Sequence, residues 1–185
     1  MTVANFFTFL RVLLIPVFMG VYYTDFRGHF LVASGIFIFA CVTDWLDGHM
    51  ARKMRQTSRF GAFLDPVADK LLVTISLVIL AASYPIPLYI IPAAIIVARE
   101  VLVSALREWM AEQRQRDAVA VGKVGKVKTT VQMIALIVLL ATDQQGPVFI
   151  WGLGLVLVNA AALLTIWSMV IYLRNAWPLL KSGLK

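Results

Sequence analysis

Long, unbroken apolar runs separated by short polar breaks limit the folds open to this chain more than any other feature. A hydrocarbon layer has no water to pair backbone amides and carbonyls, so only helices or closed barrels cross it. The runs are continuous rather than alternating, which excludes barrel strands, and each approaches the roughly 20 residues that a helix needs to span the apolar layer. Six helices are predicted: Phe6 to Tyr23, Phe30 to Ala51, Asp65 to Ser83, Ile86 to Arg107, Lys126 to Ala141 and Val148 to Tyr172. The breaks carry turn chemistry, with Gly28 between Asp25 and His29, Pro85 after Ser83 and Tyr84, and Gly146-Pro147 after Asp143. The expected fold is an all-α integral membrane bundle of six transmembrane helices, with residues 1–185 forming a single membrane domain.

Composition agrees, since 61% of residues are hydrophobic and 15% charged, far from the balance of a soluble domain. The net charge of +7 does not call for nucleic acid, because loops facing an anionic lipid surface carry the same excess. Arg11 lies inside the first apolar run and no small-residue cleavage pattern follows it, so that run is expected to remain as a helix. Cys41, the only cysteine, reads as a small buried hydrophobe and rules out an intramolecular disulfide.

Lys and Arg favour cytoplasmic loops. Arg52, Lys53, Arg55 and Arg59 fall between helices two and three, and Arg107, Arg114, Arg116, Lys123, Lys126 and Lys128 around the break between four and five. Arg174, Lys181 and Lys185 follow helix six, whereas the other side carries only Arg27. Both termini and the acidic residues near these breaks are therefore expected on the cytoplasmic side.

The chemistry concentrates in residues 44–70. Asp44 and Asp47 are spaced i,i+3 at the end of helix two, and Asp65 and Asp69 i,i+4 at the start of helix three, so each pair shares a helical face. Ionisable groups beside the membrane core are costly unless paired or metal-bound. One reading pairs them with Arg52, Arg59 and Lys70 to hold the helix ends. The other binds a hard cation, Mg²⁺ or Mn²⁺ rather than zinc, since the donors are carboxylates without His or Cys. Two such ions could clamp a pyrophosphate. Gly48, Ala51 and Gly61 leave the helix backbones open to close approach by a nucleotide.

The pattern D-x-x-D-G-x-x-A-R, eight residues, then G-x-x-x-D-x-x-x-D, from Asp44 to Asp69, resembles the signature of the CDP-alcohol phosphotransferase family at every specified position. The resemblance implies metal ligation by Asp44, Asp47, Asp65 and Asp69, with Asp69 also the base for the acceptor hydroxyl. It implies that Gly48, Ala51, Arg52 and Gly61 line the cytidine diphosphate, and that the protein works as a homodimer in a bacterial cytoplasmic membrane.

A second polar cluster comprises Arg99-Glu100 and Arg107-Glu108, then Gly122 to Thr130 with Lys126 and Lys128. It lacks P-loop spacing. A basic helix start is still suited to phosphate, and Arg107, Lys126 and Lys128 are the candidates for the acceptor's phosphate. Ala98-Arg-Glu100, Ser104 to Trp109 and Gly125 to Thr130 resemble the branch of the family that joins CDP-diacylglycerol to sn-glycerol 3-phosphate and releases CMP. Inositol phosphate, serine and phosphatidylglycerol are the alternative acceptors within the family. A divalent-cation transporter, the rival from another class, would place carboxylates at the midplane of several helices rather than at one edge. Asn5, Thr8 and Arg11 either form a polar face against the aspartates or anchor an interfacial helix, and Trp45, Trp109 and Trp177 fit an interfacial belt.

Overall fold

The computed structural model describes residues 3–54, 59–112, 123–142 and 146–183, without the side chains of 3–7, 44–54, 59–63, 65, 111–112, 123–124, 175, 178–180 and 182–183. The described residues form six helices and no strand: α1 Val3–Tyr23, α2 His29–Met54, α3 Arg59–Ser83, α4 Pro87–Glu112, α5 Lys123–Leu140 and α6 Val148–Gly183. Three contain apolar spans long enough to cross a membrane, Pro66–Ser83, Pro87–Met110 and Val148–Arg174, while Thr8–Tyr23 and His29–Thr43 are shorter apolar segments.

The helix boundaries differ from the sequence reading mainly at the polar ends. Helix α3 starts at Arg59, upstream of the predicted start at Asp65, and runs through Pro66. A proline removes one donor, and continuing the helix upstream keeps the neighbouring backbone groups paired. Arg52 and Lys53 lie in α2 and Arg59 in α3 rather than in a loop, while Arg55, Arg114, Arg116 and Lys185 fall outside the described residues. At the other end, α6 carries Arg174 and Lys181 on helix rather than on a loose tail.

Two compact units make up the chain. The first comprises Met1–Ser83 and Leu136–Trp151, and in it α1 packs against both α2 and α3. Gly28, at φ 90°, makes the turn into α2 in a backbone region that side chains with a Cβ rarely adopt. His29 Nδ1 lies 3.0 Å from the Tyr22 carbonyl across this turn. Fully buried Phe18 meets Phe37 and Tyr22 with ring centroids 6.4 Å apart in each case, and Tyr22 and Ser83 share a hydroxyl hydrogen bond of 2.7 Å.

Tyr84–Ala135 and Gly152–Lys185 form the second unit. Pro87 opens α4, where its missing amide costs nothing, and the Ile86 carbonyl accepts from Tyr89 and Ile90. Asn159 of α6 donates to the Leu88 carbonyl of α4 at 3.0 Å and to Leu155 of its own helix at 2.8 Å. Further along, Val103, Met110, Tyr172 and Ala176 form a buried cluster, with Leu106 and Trp109 packed against it. Trp109 thus packs inward in part, while Trp177 is 63% exposed.

Candidate active site

The four aspartates belong to the first unit. Helix α2 continues unbroken past Asp44 and Asp47 to Met54, and α3 is helical from Arg59 through Asp65 and Asp69. The i,i+3 and i,i+4 spacings therefore act on real helical turns, placing each pair on one face of its helix. Gly48, Ala51 and Arg52 lie on the last turns of α2 and Gly61 on the first turn of α3. Asp69 is half-buried beside fully buried Ala68. The side chains of Asp44, Asp47, Asp65 and Arg52 lie outside the described ones, and among the described residues no group of three metal-ligating side chains forms. The four aspartates offer carboxylate oxygen only, two residues per helix, which fits a hard divalent cation.

Two polar residues of α1 join this unit's interior. Thr8 and Arg11 are each 1% exposed, so they face packed protein rather than lipid head groups. This burial speaks against the interfacial-anchor reading of the segment; Asn5's side chain is outside the described set.

The second unit gathers a basic cluster from three helices. Lys128 of α5, its side chain 3% exposed, donates from Nζ to Glu100 Oε1 of α4 at 2.6 Å. Arg99 Nη1 donates to the same oxygen at 3.1 Å, and Arg99 Nη2 reaches Ser168 Oγ of α6 at 3.5 Å. One turn further along α6, Tyr172 accepts a 2.7 Å bond from Arg107 Nη2. Both guanidinium carbons, of Arg99 and Arg107, lie 5.6 Å from the Tyr172 ring centroid, close enough for the ring face to attract each cation. Among the described side chains, three cations against one carboxylate leave a local positive excess. Arg99 Nε is buried with no hydrogen-bond acceptor among the described residues. A buried cation excess with an unused donor is suited to an anion.

Of the sequence candidates for the acceptor phosphate, the fold brings Arg107 and Lys128 into this cluster and leaves Lys126 exposed. Residues two apart on a helix do not face each other, so Lys126 and Lys128 cannot both turn inward from α5. Arg99, Ser168 and Tyr172 join the cluster without having been singled out as binding residues. Ser168 and Tyr172 are i,i+4 on α6, a polar pair within an apolar span, and that is the signal that points to them.

Comparison with known proteins agrees with the signature. Residues 1–172 match the family described as CDP-alcohol phosphatidyltransferase. The chain is 47% identical over 185 residues to a CDP-diacylglycerol--glycerol-3-phosphate 3-phosphatidyltransferase of Pseudomonas fluorescens, covering 98% of this chain and 93% of the relative. Proteins of the same name from Pectobacterium atrosepticum and Yersinia enterocolitica are 50% identical over 169 residues and 48% over 177, covering 91% and 96% of both partners respectively. With the eight signature positions seated on α2 and α3 and the match running over nearly its whole length, this chain belongs to the CDP-alcohol phosphatidyltransferase family.

Proposed function

We propose that this protein transfers the phosphatidyl group of CDP-diacylglycerol to sn-glycerol 3-phosphate, giving phosphatidylglycerophosphate and CMP. The observation that carries this reading is the 47–50% identity, over nine-tenths or more of the chain, to proteins named for that reaction. The basic cluster adds a physical reason for an acceptor that bears a phosphate: serine has none, and phosphatidylglycerol carries only a diester monoanion.

In the proposed reaction, the primary hydroxyl oxygen of glycerol 3-phosphate attacks the phosphorus that bears the diacylglycerol. A new P–O bond forms as the bond to the CMP oxygen breaks. Asp69 accepts the hydroxyl proton; a base held close to the attacking oxygen contributes roughly 10² to 10⁴ in rate. Asp44, Asp47, Asp65 and Asp69 would hold the metal, for which Mg²⁺ or Mn²⁺ and a pair of ions are proposed. When bound, these ions neutralise charge on the pyrophosphate and on the departing phosphate. Gly48, Ala51, Arg52 and Gly61 receive the cytidine diphosphate. Arg107 and Lys128 hold the acceptor phosphate by charge-assisted hydrogen bonds, and exposed Lys126 draws the anion in from water.

We further propose six membrane spans, both termini and the chemistry on the cytoplasmic face of a bacterial inner membrane, and a homodimer. Three of the helices already have spans of sufficient length and apolarity. The test of function is CMP release by purified protein given CDP-diacylglycerol, Mg²⁺ and separate acceptors. Release with glycerol 3-phosphate alone supports the proposal; release only with inositol phosphate, serine or phosphatidylglycerol overturns the acceptor, and none with any of them overturns the activity.

A further inference from the structure

Glu100 stands where simple electrostatics says that it should not. Among the described side chains of the basic cluster it is the one carboxylate, and a carboxylate beside a phosphate-binding group repels the ligand. By charge alone, removing it should tighten the acceptor. Its contacts supply the opposite argument. One oxygen, Oε1, accepts from Lys128 Nζ at 2.6 Å and from Arg99 Nη1 at 3.1 Å. Lys128 feels repulsion from both Arg99 and Arg107, and its ammonium sits on a flexible four-carbon stem with three donors and no directional preference of its own. With 3% of its side chain exposed, Lys128 is held in place by protein contacts rather than by solvent.

We infer that Glu100 is a positioning residue for the acceptor site: it fixes the Lys128 ammonium and the Arg99 guanidinium on one oxygen, so that their remaining N–H groups point together at the acceptor's phosphate. The inference rests on the acceptor-site reading proposed above. Among the described residues, Glu100 takes one Lys128 N–H and leaves two. Without the carboxylate, Lys128 and Arg99 lose their shared anchor while Arg99 and Arg107 still repel Lys128, and the flexible lysine is the first to turn away. The gain in net positive charge does not restore the lost geometry, because hydrogen bonds from a cation to phosphate depend on direction as well as charge.

The test uses the full-length protein in mixed micelles with CDP-diacylglycerol and Mg²⁺, and reads KM and kcat for each substrate. Glu100→Gln should raise the KM for glycerol 3-phosphate about tenfold, equivalent to about 1.4 kcal/mol. The kcat and the KM for CDP-diacylglycerol should stay within about threefold, a split that a general loss of structure does not produce. Glu100→Asp, with the charge kept and set back by one carbon, should fall between wild type and Glu100→Gln. It also keeps the idea testable if the glutamine variant fails to fold. In a Lys128→Ala background, Glu100→Gln should change the same KM by less than about threefold, since the group it positions is gone.

An unchanged or lowered KM for glycerol 3-phosphate in Glu100→Gln overturns the inference, as does full additivity with Lys128→Ala. If Glu100→Gln is not obtained folded, a wild-type KM in Glu100→Asp overturns it. Failure of the underlying reading looks different: Lys128→Ala by itself then leaves the KM for glycerol 3-phosphate unmoved.

Discussion

Lys126 and Lys128 stand two residues apart in the same basic helix start, and the fold predicts unequal consequences for losing them. Lys128 is buried and bonded to Glu100, whereas Lys126 is exposed on the other side of α5. Lys128→Ala removes a charge-assisted hydrogen bond to the acceptor phosphate, worth about 1.5 to 3 kcal/mol in a partly desolvated site, or roughly ten- to a hundredfold in KM for glycerol 3-phosphate. Glu100 keeps its 3.1 Å bond to Arg99, so the carboxylate left behind is not stranded and the variant should fold. Lys126→Ala removes only long-range attraction, which water and salt screen; its effect should stay below about threefold and vanish above roughly 0.5 M salt. The assay titrates glycerol 3-phosphate at saturating CDP-diacylglycerol, then reverses the roles, following CMP release. Equal KM changes for the two lysines would refute the reasoning, because burial would then have no bearing on function. An equal rise for both substrates in Lys128→Ala would reassign the cluster to the donor or to the fold.

Asp69→Asn keeps the side chain's shape while removing a base and a metal charge, so turnover should fall by roughly 10² to 10⁴ with the protein still folded; retention of a tenth of normal turnover would remove Asp69 from the base role. Chelation with EDTA should stop CMP release, and added Mg²⁺ or Mn²⁺ should restore it, with Asp44→Asn and Asp65→Asn needing more metal than wild type; activity indifferent to EDTA would sink the metal proposal. For topology, cysteines introduced singly in a Cys41→Ser background should react with an impermeant thiol reagent from outside the cell at Gly146 but not at Lys181, and the reverse pattern would invert the orientation.

The helical class and the aspartate pairs were legible in the sequence because they depend on local quantities. Run length against membrane thickness selects helices, and spacings of three and four residues place side chains on one face whatever the helix packs against. Polar helix ends were read less well. The extensions of α3 back to Arg59 and of α6 on to Gly183 follow amphipathic or charged residues that resemble loop when read singly, and Pro66 resembles a boundary although the helix passes through it.

What only the tertiary structure decided is which face of each helix turns inward. The sequence by itself marked Arg107, Lys126 and Lys128 as equivalent cations, because a basic run has no preferred side until a neighbour supplies one. Packing of α4 against α5 and α6 turns Lys128 to Glu100 and leaves Lys126 in the open. It also sets Tyr172 between Arg99 and Arg107, which lie 73 (172 − 99) and 65 (172 − 107) positions away in the chain. Such a contact depends on helix azimuth and crossing geometry, set by many distant side chains at once, so no local spacing encodes it. The same holds for Thr8 and Arg11, ambiguous as letters on an N-terminal helix and buried once α1 packs against α2 and α3.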